Sequence, residues 1–368
     1  MKGFKTVITL MLVLAMVLSF AACGKEAAAP AAAAPAAEAA PAAEAAPAAE
    51  AAPAAEPVEA IVLRASSPAA PDAAWTMGLN KMAEVLEEKS GGRYHVDVYP
   101  NASLSENSEK TMTDQLFAGT LDIAISPASL AGAEWSAFSI PFQFTDRDHI
   151  WRVCDSEIVK GMSERMEAKG MKVLAIVENG FRQFTNSKHQ IAVPADTADV
   201  KLRTPQAKSS QDQAEMFGVQ VVPMSAGELF VGLQQGTADG QENPLNTIYN
   251  NGYYEVQKYL TKIDYSWSPA LFCINNDLWL SLSAEDQAIF QEAFTEGAKL
   301  LNDEMVKADD MYLQMLEDAG MEVYIVSDAE KELWKEAAKD AINIYADGVN
   351  KETPNLMQDF AAMVEDLR

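Results

Sequence analysis

Cysteine and histidine are nearly missing from this chain, and each absence removes a class of chemistry. The three cysteines are Cys23, Cys154 and Cys273, so the body of the chain has no disulfide framework. Free buried thiols are expected at Cys154 and Cys273, with one bridge in an oxidising compartment as the alternative. His95, His149 and His189 are the only histidines; they are scattered, without metal-ligand spacing, and no Gly-x-Ser-x-Gly nucleophile elbow occurs. Positive charge is short as well: 28 basic residues stand against 54 acidic ones, a net charge of -26. That balance excludes a nucleic-acid partner, whose phosphates demand a basic face. It would also repel an anionic ligand at long range, so any anion must be drawn by a local, partly desolvated cation. Beyond the amino-terminal segment no stretch reaches the roughly 20 apolar residues that a membrane span requires.

The first 57 residues are of another kind. Lys2 and Lys5, the apolar run Val7 to Leu18 and then Ser19-Phe20-Ala21-Ala22-Cys23 have the form of an export signal over 1-23. Small residues before a cysteine resemble the bacterial lipoprotein signal, in which Cys23 would become the lipidated first residue and membrane anchor. Residues 24-57 repeat Ala-Ala-Pro-Ala-Ala-Glu, a composition with no large apolar side chain to bury, and read as a tether. Its prolines block a continuous helix and favour extended spacing.

The remaining residues alternate strand and helix patterns, which implies an α/β fold with parallel strands and crossover helices. Strands are expected at 61–65, 94–99 and 121–126. Between them lie a helix with Trp75, Leu79, Met82 and Leu86 on one face and another near 108–117. Ligands of such sheets sit beyond the carboxyl ends of the strands, here Ser66-Ser67 and Ser126-Pro127. A helix over 148–169, strands at 172–177, 181–185, 200–203 and 219–222, and a strand at 271–274 returning to the first sheet complete the pattern. Ser283 resembles a helix N-cap, and the apolar spacing from Phe290 to Met315 holds until Gly320. Such a helix would measure roughly 50 Å at 1.5 Å per residue and would cross both lobes. Two helices broken near Gly297 are the alternative.

The most informative stretch runs from Lys201 to Leu245. Lys201-Leu202-Arg203-Thr204-Pro205 ends a strand, and Asp239-Gly240-Gln241-Glu242-Asn243-Pro244 reads as a turn bounded by glycine and proline. An arginine fork beside an asparagine amide is a usual grip for a small carboxylate. Nothing nearby supplies a nucleophile, base or metal, and no cofactor is expected.

These segments resemble the substrate-binding receptors of tripartite ATP-independent periplasmic (TRAP) transporters, the DctP family, over nearly all of Val58 to Arg368. The resemblance is densest at Asn179-Gly180-Phe181-Arg182-Gln183-Phe184-Thr185-Asn186, Lys201 to Pro205, Val222-Pro223-Met224, Glu228 to Gly236 and Asp239 to Pro244. It implies a two-lobe periplasmic-binding-protein-like fold with crossing strands and a long helix spanning both lobes. Lobe I would comprise 58-179 plus 269-309, and lobe II 180-268 plus 310-368. It implies a receptor and not an enzyme, extracytoplasmic and monomeric, that passes a small carboxylate to a membrane permease. The family's carboxylate-binding arginine maps to Arg203, a neighbouring arginine to Arg182 and the turn asparagine to Asn243. Tyr265, Trp267 and Trp75 are looser transfers for specificity contacts, and Ser126 closes the strand that faces the ligand. The strand end Ser126-Pro127-Ala128-Ser129-Leu130 lacks the Glu and Arg found there in the family's sialic-acid receptors, which disfavours that ligand. Phe181, Trp75 and Trp267 would suit a sugar acid or an aromatic or branched carboxylate. A dicarboxylate would need a second cation, from Lys110 or Arg64. The competing readings are a tethered sensor that presents its ligand to a signalling protein, and a secreted hydrolase using Asp239 and Glu242 as paired carboxylates.

Overall fold

The computed structural model describes residues 60–349 and 351–368. The expected leader 1-23 with Cys23 and the tether 24-57 lie outside the described residues. Eleven strands are described, in two sheets. The first contains β1 (Ile61–Ser66), β2 (Tyr94–Tyr99), β3 (Ile123–Pro127) and β4 (Met171–Phe181); the second contains β5 (Gln183–Asn186), β6 (Lys201–Thr204), β7 (Gln220–Pro223), β8 (Gly240–Asn243) and β9 (Tyr259–Lys262). β10 (Trp267–Asn275) returns to the first sheet and β11 (Glu322–Ile325) adds to the second, giving the orders β2-β1-β3-β10-β4 and β11-β9-β5-β8-β6-β7.

The parallel part follows the sequence pattern. β1 pairs in parallel with β2 and β3, and the helix Ala74–Lys89 between the first two strands buries Trp75, Leu79, Met82 and Leu86 as the spacing requires. The expected single helix over 148–169 is two helices, Arg147–Cys154 and Glu157–Glu167. The Ser156 side chain accepts from Val159 N and starts the second one. Gly240 to Asn243, expected as a turn, is a strand between β5 and β6. A Cβ on Gly240 would stand 2.4 Å from the Thr185 carbonyl oxygen, so only glycine allows β8 to approach β5 so closely. Cys154 and Cys273 are buried and free.

Two chain segments pass side by side between the sheets. β4 leads through Arg182 into β5, while β9 leads through Ser266 into β10; Arg182 N donates to Ser266 O at 2.8 Å where they cross. A third link is the helix Ala284–Asp318, 35 residues without interruption. At 1.5 Å per residue it extends about 52 Å. Phe290, Phe294, Leu301 and Met305 pack it on the first sheet, and Leu316 packs its far end with Leu229 and Leu260 of the second lobe. Gly297 is no break. It faces Gly78, where a Cβ would meet the opposite carbonyl at 2.6 Å, so the pair sets the close crossing of two helices.

The helices Ala341–Val349 and Leu356–Asp366, expected with the second lobe in 310-368, pack against the first: Tyr345, Val349, Met357, Phe360 and Val364 share one buried cluster with Phe138, Met171 and Trp267, with Met216 of the second lobe at its margin. Phe138 and Phe360 meet edge to face at 4.9 Å, a contact worth about 0.5–1.5 kcal/mol beyond burial. Residues at helical spacing on both terminal helices supply the apolar face that enters this cluster.

Candidate ligand-binding site

Between the sheets lies a cavity of about 430 Å³, walled by both lobes. Arg203 on β6, Arg182 at the crossing, Asn243 at the end of β8 and Trp75 in the first turn of its helix all stand on its wall. Parallel pairing of β6 and β8 sets Arg203 opposite Gln241, and antiparallel pairing of β5 and β8 sets Gln183 opposite Asn243. Residues distant in sequence thus reach one edge of the second sheet.

The two arginines are engaged differently. Arg203 is 2% exposed. Its Nε donates to Met224 O at 3.0 Å and its Nη2 to Glu109 Oε1 at 3.0 Å; Nη1 has no protein acceptor among the described residues. Glu109 opens the helix Glu109–Phe117 of the first lobe, and its Oε2 accepts from Ala226 N at 2.8 Å. Arg182, by contrast, spends nearly its whole fork on Glu242. Nε and Nη2 donate to the two carboxylate oxygens, and Nη2 also donates to Glu242 O at 2.7 Å and Asn243 Oδ1 at 3.3 Å. Burial works against the Arg182 charge and the Glu242 carboxylate overrides it, so the guanidinium pKa lies above its ordinary value.

Several expected site residues lie elsewhere. Trp267 is fully buried in the aromatic cluster of Phe138, Phe144 and Trp151, and its Nε1 donates to Glu178 Oε1 at 2.7 Å. Tyr265 stacks on Phe184 at 4.9 Å and donates to Glu242 Oε2 at 2.7 Å; burial raises its phenol pKa. Tyr265 meets the wall through Glu242, which holds Arg182, and Trp267 through Glu178, whose carbonyl accepts from Trp75 Nε1 at 2.9 Å. Ser126 is buried against Thr113 at 2.6 Å, and the wall is formed instead by its neighbours Pro127 and Ser129. Phe181 lies under the Arg147 guanidinium at 5.9 Å, off the wall. Neither proposed second cation reaches the cavity: Lys110 is paired with Asp114 at 2.5 Å and Arg64 with Asp122 at 3.6 Å, both outside. The carboxylates of the hydrolase reading are also committed, Glu242 to Arg182 and Asp239 to the backbone of Lys201 at 3.0 Å.

Other wall residues were not expected from the sequence. Glu109 is one, and an amide-rich surface of Asn101, Asn107, Asn179, Asn246, Asn250 and Asn251 is another. The spacing Asn243-x-x-Asn246-x-x-x-Asn250 is the signal that could have shown it, since Asn246 and Asn250 share one face of the helix Leu245–Asn250. Tyr253 adds a phenol whose pKa burial raises to about 12, leaving it a neutral hydroxyl on the wall. The Phe230 ring lies there too. The whole is a concave surface with one available guanidinium edge and many neutral hydrogen-bonding groups, suited to holding a small polar anion.

This fold and cleft define a two-lobe solute-binding protein. The family described as "Bacterial extracellular solute-binding protein, family 7" matches residues 65–347, and the chain belongs to it. A "Solute-binding protein" of Verminephrobacter eiseniae is 37% identical over 251 residues, 67% of this chain and 74% of that protein. A TRAP periplasmic solute-binding protein of Polaromonas, crystallised with D-erythronate, is 30% identical with a TM-score of 0.77, over 83% of this chain and 98% of that one. A sugar-acid-binding protein of Advenella mimigardefordensis in complex with galactonate is 26% identical with a TM-score of 0.78, over 83% and 99%. The family consists of extracytoplasmic receptors for small carboxylates that work with membrane permease subunits, not of enzymes.

Proposed function

We propose that this chain captures a sugar acid of the aldonate or uronate type between its lobes and delivers it intact to a TRAP permease. The observation that carries this reading is the composition of the wall: one guanidinium edge at Arg203 for a carboxylate, with asparagine amides and hydroxyls for a polyol, and no second cation among the described residues of the wall beyond the committed Arg182. The cavity of about 430 Å³ is in the size range of small-ligand sites. Binding of D-erythronate and galactonate by two similar proteins supports the same class. Arg203 and Asn243 hold the acid, Trp75 and Phe230 cover its apolar faces, and Arg182 orients Asn243. Lobe closure excludes water and is favoured by its higher affinity for ligand. Cys23 is read as the lipid anchor that keeps the receptor at the membrane, with the repeat at 24-57 as the tether.

Native mass spectrometry of co-purifying ligand, followed by calorimetry with galactonate, gluconate, glucuronate, keto acids and aromatic acids, tests this. Sugar acids should bind tightest and be recovered unaltered, with about 2.7 kcal/mol of added stability at a hundredfold excess over Kd. Preference for an aromatic or keto acid would overturn the ligand class.

A further inference from the structure

Charges on the cavity wall, counted with their partners, balance before any ligand arrives. The cations are Arg182 and Arg203, and Glu109 is the acid on the wall among the described residues. Glu242 neutralises Arg182 from behind, and Glu109 takes one arm of Arg203. What remains for a ligand carboxylate is the uncommitted donor edge of Arg203, and there is no second such edge on the wall among the described residues. A second carboxylate would meet neutral amides, and near Arg203 it would meet Glu109 itself.

Glu109 has no room to withdraw. Its side chain is 6% exposed, and its two oxygens are held by Arg203 and by Ala226 N. Both partners belong to the second lobe while Glu109 belongs to the first, and Gly227 N donates to Asn107 O at 3.2 Å beside them. A Cβ on Gly227 would stand 2.5 Å from that oxygen, so the lobes meet without slack here. Glu109 is thus fixed on the wall beside Arg203, and a second carboxylate brought to that place would meet a like charge in a desolvated site, where repulsion is strongest.

We propose that Glu109 restricts this receptor to acids carrying a single negative charge. The inference rests on the cleft being the acid-binding site and deepens that reading, but it does not depend on the ligand being a sugar.

Calorimetry at constant ionic strength with paired ligands of one skeleton, galactonate against galactarate and butanoate against succinate, tests it on wild type and Glu109→Gln. Wild type should bind the monoacid at least about tenfold tighter than the diacid in whichever pair it accepts, because like-charge juxtaposition in a desolvated site is costly. In Glu109→Gln, which keeps an oxygen for Arg203, the gap should close, chiefly by tighter diacid binding. Equal or tighter diacid binding by wild type overturns the proposal without any variant. So does a variant that weakens both members equally, since Glu109 would then only orient Arg203. Discrimination confined to butanoate over succinate, with galactonate unbound, would sink the sugar-acid reading and leave the role of Glu109 standing.

Discussion

Arg182 and Arg203 stand on one cavity wall, both almost fully buried, and they show two uses of the same side chain. Arg182 has its own carboxylate from the adjacent strand β8, a carbonyl and an asparagine oxygen, and Tyr265 donates to Oε2 of that carboxylate, the oxygen that Arg182 Nε also holds. It is a structural ion pair located where the two crossing segments meet. Arg203 is borrowed rather than owned: its carboxylate partner comes from the opposite lobe, and its Nη1 has no protein acceptor among the described residues. An arginine satisfied within its own lobe can hold the hinge region; one that draws on the other lobe can report closure and accept a ligand.

The largest effect that would test this contrast is on folding. Arg182→Ala leaves Glu242 buried without its cation, and should cost about 3–5 kcal/mol of stability, read as a lower denaturant midpoint. If the variant unfolds like wild type but fails to bind, Arg182 is a ligand contact and the contrast is reversed.

Next in size is Arg203→Ala. The loss of ligand affinity should be about 2–5 kcal/mol, some thirtyfold to several thousandfold by calorimetry. Arg203→Lys should also bind poorly, because a lysine lacks the planar fork that spans Glu109 and a ligand carboxylate. Wild-type affinity in Arg203→Ala would remove it from the site.

A third pair, between the buried Glu178 of β4 and the half-buried Arg147 at the start of the helix Arg147–Cys154, provides the smallest and sharpest comparison. Glu178 lies 3.6 Å from Arg147 Nε, a long pairing, while Arg147 is also drawn to Asp309 on the long helix. Burial raises the Glu178 carboxyl pKa, and the Arg147 charge and Trp267 hydrogen bond only partly oppose it. The folded protein thus keeps this proton to higher pH than the unfolded chain. Wild-type stability should therefore fall as pH rises above the ordinary 4.5 until the native carboxyl has ionised. Glu178→Gln, which preserves an acceptor for Trp267, should lose that decline when midpoints are followed from about pH 4 to pH 8. An unchanged pH profile would mean that Arg147 neutralises Glu178 as fully as Glu242 does Arg182.

Local pattern carried much of the fold. The helical face of Trp75, Leu79, Met82 and Leu86, the period-two strand at 94–99 and the capped start at Ser283 all depend on near neighbours, and each appears where the spacing puts it. Gly240 misled, because glycine and proline around a short run signal a turn, and only pairing with β5 on one side and β6 on the other makes it a strand. Trp267 and Tyr265 lie off the wall for a related reason. Their place next to the crossing was legible, but which way each ring faced depended on neighbours such as Phe138 and Phe184. Glu109 gave no local signal, since a glutamate at a helix start is common wherever Ser caps the first turn.

By itself the sequence made legible the class of element along much of the described chain and the arginine, asparagine and tryptophan that stand on the cleft wall. Those properties follow from periodicity, composition and local hydrogen bonding, which act over a few residues. Tertiary structure alone decided which arginine keeps a free edge, which acid enters the wall from the other lobe, and where the terminal helices pack. Charge pairing and burial are settled between groups about a hundred residues apart, such as Glu109 and Arg203, and only the closed packing of two lobes brings such groups within hydrogen-bond reach.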